Sequence, residues 1–298
     1  MRPGDVASWT RRQVLALPAG GAVISARAIL GGGRFQASAG PWGVQLYTVR
    51  EQISTDAAAA LRRVAAVGYT ELEVLQPTLS VVAPLARDLG LQVVSVHLDA
   101  ATARGEGFDA FLTQAKRDGL RYVVFPYVPP AERPTDRAGF DLLAQRLARM
   151  SRTAAALELR FCYHNHAFEF GRDRDGTQWL DVLMQGTAAA GMGLELDVFW
   201  AAIAGDDPVA LLRRYAARVA LVHLKDKDPR AATSLVESQV PRTAFVEVGS
   251  GALDFTAILA AARTAGVAHY FVEQDQTPGD PFDSLKKSSD YLSGLAAK

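Results

Sequence analysis

Apolar runs rich in β-type residues alternate with longer helical patterns along the chain from Trp42 onward. A parallel strand is buried on both faces and therefore reads as a nearly continuous apolar run, whereas its crossover helix shows an apolar stripe. The alternation thus predicts repeated strand–helix units and a parallel sheet. Strands are predicted at 43–47, 70–75, 91–97, 122–125, 160–164, 193–197, 219–223 and 270–273.

A helical pattern follows each predicted strand. The first two helical patterns end at Gly68 and Gly90. The other six cover about 107–118, 138–157, 180–190, 207–216, 254–265 and 281–296. Eight such repeats in about 255 residues match the size of a (β/α)8 barrel. An open doubly wound sheet is the alternative, but no glycine-rich phosphate loop follows the first strand. We therefore predict an α/β fold, a single-domain (β/α)8 TIM barrel over 40–298.

The first 39 residues differ in character from the rest. Arg11 and Arg12 precede a mildly apolar segment, and small residues at 37–39 offer a cleavage site, as in a twin-arginine export signal. Glycines and Arg27 interrupt that segment well short of the roughly 20 apolar residues of a membrane span. We predict a signal peptide at 1–39 and a periplasmic or extracellular mature protein without a membrane span; an irregular N-terminus with incidental arginines is the alternative.

Charge and cysteine content narrow the possible partners. The chain of 298 residues has 32 basic and 32 acidic side chains and no basic stripe, so nucleic-acid binding has no electrostatic support. Cys162 is the only cysteine, which excludes an intramolecular disulfide and a cysteine-rich zinc site. The oligomeric state stays open.

Four of the predicted strands end on a residue that can bind a metal, namely His164, Asp197, His223 and Glu273. In a (β/α)8 barrel the C-terminal strand ends surround one mouth, where the active site lies. Two imidazoles and two carboxylates suit one divalent ion of intermediate hardness, so Mn²⁺, Zn²⁺, Co²⁺ or Fe²⁺ is expected and Mg²⁺ is less favoured. Simple polar capping of each strand is the alternative.

The sequence does not decide which residue after the fifth strand is the metal ligand. His166 has the same strand parity as His164, and Glu169 is near. Glu195 should face inward one layer below Asp197, and a buried glutamate needs a partner. Lys225 or a ligating imidazole can serve as that partner.

Other polar residues fall close to the same mouth. Lys225 is expected to reach into it, as an oxyanion stabiliser or in a structural ion pair. Trp200 is a predicted wall for a sugar ring, with helix packing as the alternative, and Asn165 and His97 are predicted substrate contacts. His269, ahead of the eighth strand, is expected at the surface. The glycines in 249–255 are interpreted first as a tight turn.

Taken together, these motifs resemble the xylose isomerase-like barrel superfamily, and within it the sugar phosphate isomerase/epimerase group. The similar stretches are 163–170, 195–200, 223–226, 249–255, 272–275 and 280–292. The resemblance implies a TIM barrel with one metal at its C-terminal mouth, held by Asp197, His223 and Glu273. In epimerase members the fifth-strand ligand is a glutamate, and His164 takes that place here.

This departure matters because ketose 3-epimerases use two metal-bound glutamates as their acid/base pair. Inosose dehydratases are similar to this chain in having a histidine-rich fifth strand. The DNA-repair endonuclease branch needs more histidines for its three-zinc cluster, and a basic face, so it is excluded.

The resulting expectation is a metal-dependent isomerase or epimerase that abstracts a proton next to the carbonyl of a sugar or keto-sugar. Glu273 or His166 would be the base and Lys225 the electrostatic stabiliser. Alternatives are a lyase performing β-elimination on a keto-sugar, a hydrolytic metalloenzyme, and a periplasmic carbohydrate-binding barrel without catalysis.

Overall fold

A closed barrel of parallel strands forms the centre of the part of the chain that the computed structural model describes, residues 42–296. The strands are β1 Trp42–Gln45, β2 Glu71–Leu75, β3 Gln92–His97, β4 Tyr122–Phe125, β5 Arg160–His164, β6 Gly193–Asp197, β7 Val219–Leu224, β8 Asp226–Lys227, β9 Phe245–Val246 and β10 His269–Val272. Strands β1–β7 and β10 form the barrel in chain order, and β10 closes it against β1. The predicted (β/α)8 barrel is confirmed.

Helices surround the barrel and follow its strands. They are α1 Arg50–Val67, α2 Leu79–Asp88, α3 Ala100–Ala103, α4 Phe108–Arg117, α5 Arg137–Ala156, α6 Trp179–Gly186, α7 Val198–Ile203, α8 Pro208–Arg214, α9 Phe255–Thr264 and α10 Pro281–Ala296. The short helix α7 and the antiparallel ribbon β8–β9 were not predicted from the pattern. Both lie directly after strands that end at the barrel mouth, β6 and β7.

The barrel interior has an apolar layer beneath its polar mouth. Side chains two apart on a strand share a face, so Cys162 lies below His164 and Leu221 below His223. Cys162, Leu221 and Phe271 belong to one buried cluster. Gly43 makes room for it, because a Cβ there would lie 2.5 Å from the Phe271 ring.

One expectation about the barrel strands is wrong. His269 is buried as the first residue of β10, with its Nδ1 atom 2.8 Å from the Glu71 carboxylate. The residue precedes the apolar run in sequence, but the barrel closes around it, and the pairing compensates for its burial.

The predicted signal peptide at 1–39 lies outside the described residues. Between residues 42 and 296, no helix has both the length and the apolar character needed to cross a bilayer.

Candidate metal centre

The four residues predicted as metal ligands meet at the C-terminal mouth of the barrel. His164, Asp197, His223 and Glu273 are buried, and one donor atom of each lies within 4.8 Å of the others. His164 Nε2 is 3.3 Å from Asp197 Oδ2. His223 Nδ1 is 2.9 Å from Glu273 Oε2 and 3.9 Å from Asp197 Oδ2.

The orientation of His164 leaves one ring nitrogen free for a ligand. Its Nδ1 lies 3.2 Å from the Pro126 carbonyl oxygen, so Nδ1–H donates, and in the neutral ring Nε2 keeps a lone pair. Among residues 42–296, buried His164 Nε2 and Asp197 Oδ2 have no hydrogen-bond partner, although Lys225 Nζ forms an ion pair with Asp197 Oδ2 at 3.0 Å. Unpaired buried acceptors are uncommon and need an explanation. Two such acceptors side by side fit a bound cation, so the residues present suit a divalent metal.

Asp197 is held from both sides, which leaves one oxygen for the centre. Its Oδ1 accepts the N–H of Trp200 at 2.9 Å and so caps α7. Its main-chain N–H donates to Asn165 Oδ1 at 3.0 Å, and Asn165 Nδ2 donates to its carbonyl at 3.3 Å. This fully buried carboxamide is committed to the Asp197 main chain, and the predicted contact of Asn165 with substrate stays a prediction.

Of the three possible fifth-strand ligands, the structure brings only His164 to the other donors in the described part of the chain. Glu169 accepts hydrogen bonds from the Tyr163 hydroxyl at 2.7 Å and from the His166 N–H at 2.9 Å. The His166 ring lies 4.8 Å from Tyr127 and 5.3 Å from Trp200, measured between ring centres. His166 thus belongs to the wall of the mouth.

Lys225 lies among the carboxylates of the centre. Its Nζ is 2.7 Å from Glu273 Oε2, 3.0 Å from Asp197 Oδ2 and 2.7 Å from Asp275 Oδ1. Burial disfavours the ammonium, but these three carboxylates outweigh it and raise the pKa of Lys225 well above its usual value. Burial likewise opposes ionisation of Asp197 and Glu273, yet Lys225 and the neighbouring histidines hold both pKa values well below normal. Lys225, Asp197 and Glu273 therefore favour their ionised forms.

A second group of buried side chains lies beneath the first and shares His223 with it: Glu73, His97, Glu195 and His223. His97 Nε2 is 2.8 Å from Glu195 Oε2 and 3.0 Å from Glu73 Oε2. Burial lowers the pKa of His97, but the two carboxylates raise it to about 9. Its Nε2 is thus committed to carboxylates, and its predicted contact with substrate stays a prediction.

Glu73 was not predicted from the sequence. Glu71 and Glu73 alternate with apolar residues along β2, so both face inward, and this alternation was the available signal. Glu195 is paired with imidazoles, one of the two partners expected for it, and Lys225 pairs elsewhere.

The loop at 249–255 is a structural turn, as interpreted. The Asp226 carboxylate accepts the main-chain N–H groups of Gly249 at 3.0 Å, Gly251 at 2.8 Å and Leu253 at 3.2 Å. A Cβ on Gly251 would lie 2.3 Å from that carboxylate. The glycine therefore permits close approach of the loop to Asp226.

Glu169 gives the fold a testable pH dependence. Burial raises its pKa to about 8, and hydrogen bonds from Tyr163 and the main chain only partly offset this. Because the folded pKa exceeds the unfolded value of about 4.3, the stabilising proton is fully present below pH 4.3 and its contribution is lost as pH rises towards about 8. Glu169→Gln should remove this loss of unfolding free energy, which amounts to at most about 1.4 kcal/mol per pH unit. Urea unfolding of both proteins from pH 5 to 8 measures it; equal slopes would contradict it.

Comparison with known proteins identifies a family. A family model described as xylose isomerase-like TIM barrel matches residues 37–294. An inosose dehydratase from Clostridium botulinum is 29% identical over 167 residues, which are 53% of this chain and 55% of the dehydratase. The match therefore spans about half the length of that curated relative.

Solved structures share the fold. A sugar phosphate isomerase/epimerase from Parabacteroides distasonis superimposes with a TM-score of 0.70 at 24% identity, over 93% of this chain and 98% of that one. The IOLI protein with a bound zinc atom gives a TM-score of 0.66 at 14% identity, over 86% and 98% of the two chains. At these identities the structural similarity establishes the barrel fold, and the chemistry has to be argued from the residues of the site.

Proposed function

Because the chain belongs to the xylose isomerase-like TIM barrel family, we propose that it is a metal-dependent enzyme that abstracts a proton next to the carbonyl of a sugar or keto-sugar. The observation that carries this proposal is the convergence of His164, Asp197, His223 and Glu273 on one buried point, with Lys225 against two of them. Isomerisation or epimerisation is the leading outcome.

These four side chains would hold one divalent ion, which when bound would polarise the substrate carbonyl. The two-nitrogen, two-oxygen donor set favours Mn²⁺, Zn²⁺, Co²⁺ or Fe²⁺ over Mg²⁺. The zinc named for the structurally similar IOLI protein agrees with this choice.

Lys225 provides fixed positive charge where negative charge develops on the substrate oxygen. An ammonium already oriented by Asp197, Glu273 and Asp275 needs little reorganisation during reaction, and this is the arrangement that stabilises an enediolate effectively.

Two groups qualify as the base. Glu273 is ionised beside Lys225, so it can accept a proton. His166 is neutral because burial, together with the nearby positive charge of Lys225, lowers its pKa well below normal. Its buried Nδ1 has no hydrogen-bond partner within the described residues, so a ring nitrogen remains available to take a proton.

Trp200 offers a binding surface beside the base. Its ring lies 5.3 Å from His166 and 5.9 Å from Lys225 Nζ. Its indole Nε1–H is buried without an acceptor in the described chain. An apolar face with a free donor suits a sugar ring and one of its hydroxyl groups.

A second outcome, β-elimination from a keto-sugar, begins with the same proton abstraction. Two observations favour it: the similarity to an inosose dehydratase, and a histidine where epimerases carry the second acid/base glutamate. In this case one of the groups at the mouth would also protonate the departing hydroxyl. The predicted export signal would place either reaction outside the cytoplasm.

Incubation of the metal-loaded protein with a panel of sugars and keto-sugars in D₂O tests the proposal. We expect deuterium at the carbon next to the carbonyl of an active substrate. A product with the molecular formula of the substrate, apart from deuterium, identifies an isomerase or epimerase. A product that has lost one water molecule identifies a lyase. The chelator-stripped protein, before and after metal is restored, is the control. Turnover without exchange would refute proton abstraction, and binding without turnover, unchanged by chelator, would indicate a carbohydrate-binding barrel.

A further inference from the structure

His223 belongs to both buried clusters and uses a different ring nitrogen in each. Its Nδ1 faces the upper donors, 2.9 Å from Glu273 Oε2. Its Nε2 faces the lower cluster, 2.6 Å from Glu73 Oε2. The ring therefore links the proposed metal centre to the carboxylate beneath it.

Glu73 is held firmly at the bottom of this link. Its Oε2 accepts a hydrogen bond from Gln45 Nε2 at 2.8 Å, and its Oε1 accepts one from the Ser95 hydroxyl. His97 Nε2 lies 3.0 Å from the same Oε2 atom. Glu73 is fully buried, so its position follows from these neighbours and from β2.

A neutral imidazole carries one N–H donor and one lone pair. When Nδ1 is a metal ligand, the proton of the neutral ring lies on Nε2, where the carboxylate of Glu73, which can only accept, receives it. Outer carboxylates of this kind orient metal-bound histidines and raise their basicity. We propose that Glu73 is a positioning residue of the metal centre, which presents Nδ1 of His223 to the ion. The inference rests on the proposed metal-dependent function.

The lower cluster is itself a possible ion site, but its contacts favour hydrogen bonding. Ligand atoms about 2.0–2.1 Å from a tetrahedral zinc lie roughly 3.3–3.4 Å apart. Atoms of the upper cluster are separated by 2.9, 3.3 and 3.9 Å. Three of the four lower imidazole–carboxylate contacts are shorter than that zinc spacing, at 2.6, 2.8 and 3.0 Å, and the fourth is 3.4 Å. Donors from Gln45 and Ser95 also point at Glu73.

Metal binding by two variants of Glu73 tests the proposal. Glu73→Met removes the acceptor at similar volume and should weaken Zn²⁺ binding about 10- to 100-fold. Glu73→Gln keeps a neutral acceptor, so its Zn²⁺ affinity should fall only several fold. The control is Glu71→Met, on the same strand beside His269, and its Zn²⁺ affinity should equal that of the wild type. Competition with a chromophoric chelator gives affinity and stoichiometry without any substrate.

NMR of protein with ¹⁵N-labelled histidine shows directly which ring nitrogen of His223 carries the proton. In the zinc-loaded wild type we expect an Nε2-bound proton on His223 that the Glu73 carboxylate protects, and faster exchange of that proton in Glu73→Met. Unchanged affinity in both variants, or an Nδ1-bound proton on zinc-loaded His223, would overturn the proposal. The proposal would also be overturned if the wild type bound two ions per chain and Glu73→Met lost one of them, because Glu73 would then be a ligand of a second ion. If the wild type binds no metal, the proposed function fails and the role of Glu73 fails with it; if the wild type binds Zn²⁺ and both Glu73 variants bind it equally well, only the role of Glu73 fails.

Discussion

Asparagine in place of Asp197 is expected to leave the barrel folded but nearly without bound divalent metal. Asparagine keeps an oxygen that can cap α7 through the Trp200 N–H, so the local structure is retained. The amide nitrogen then replaces Oδ2, the buried acceptor that faces His164 and His223. A donor at that position cannot bind a cation, so the loss should exceed the roughly 10- to 100-fold effect of an outer partner.

Elemental analysis after dialysis measures this loss, with about one ion per wild-type chain expected from a single four-ligand site. Asp207→Asn is the matched control, because Asp207 caps α8 through the Val209 N–H and lies outside both buried clusters. His223→Ala should also lose the ion. Full occupancy in both Asp197→Asn and His223→Ala would refute the site assignment.

The ends of the barrel strands could be predicted because two signals coincide there. A buried parallel strand gives an apolar run, and a ligand-type residue ends that run at His164, Asp197 and His223. Barrel geometry then brings these ends to one mouth whatever their separation in sequence. Glu273 followed the same logic, although it lies one position beyond β10.

The connections beneath the mouth could not be predicted in the same way. Contact between Glu73 and His223 depends on closure of the whole barrel, since β2 and β7 are far apart in sequence. His269 was misplaced for the same reason, because its partner Glu71 comes from the far end of the chain. Sequence periodicity reports which face a residue occupies and not which residue it meets across the barrel.

Asn165 illustrates a second limit of sequence reasoning. It stands between two histidines that suggest chemistry, but strand parity turns its side chain away from theirs. The carboxamide meets the main chain of Asp197, where β6 gives way to α7. Such a contact depends on backbone groups, which leave no mark in the residue pattern.

Methionine in place of Lys225 is expected to separate catalysis from metal binding. The ammonium contacts Glu273 and Asp197, so its removal takes away a cation that competes with the metal for the same oxygens. Metal content should therefore stay at the wild-type level or rise. Turnover should fall about 100- to 1,000-fold, the usual loss when one oriented donor to a developing oxyanion is removed.

The readout for Lys225→Met is kcat and KM on the substrate identified by deuterium exchange, together with metal content. Lys227→Met, in the adjacent ribbon strand β8 and outside both donor clusters, should keep wild-type values. Because Lys225 would act on charge that appears only during reaction, the loss belongs in kcat, with KM little changed. A loss confined to KM would make Lys225 a substrate-binding group. Loss of metal in parallel with activity would instead make the Lys225 ion pairs a structural support of the centre.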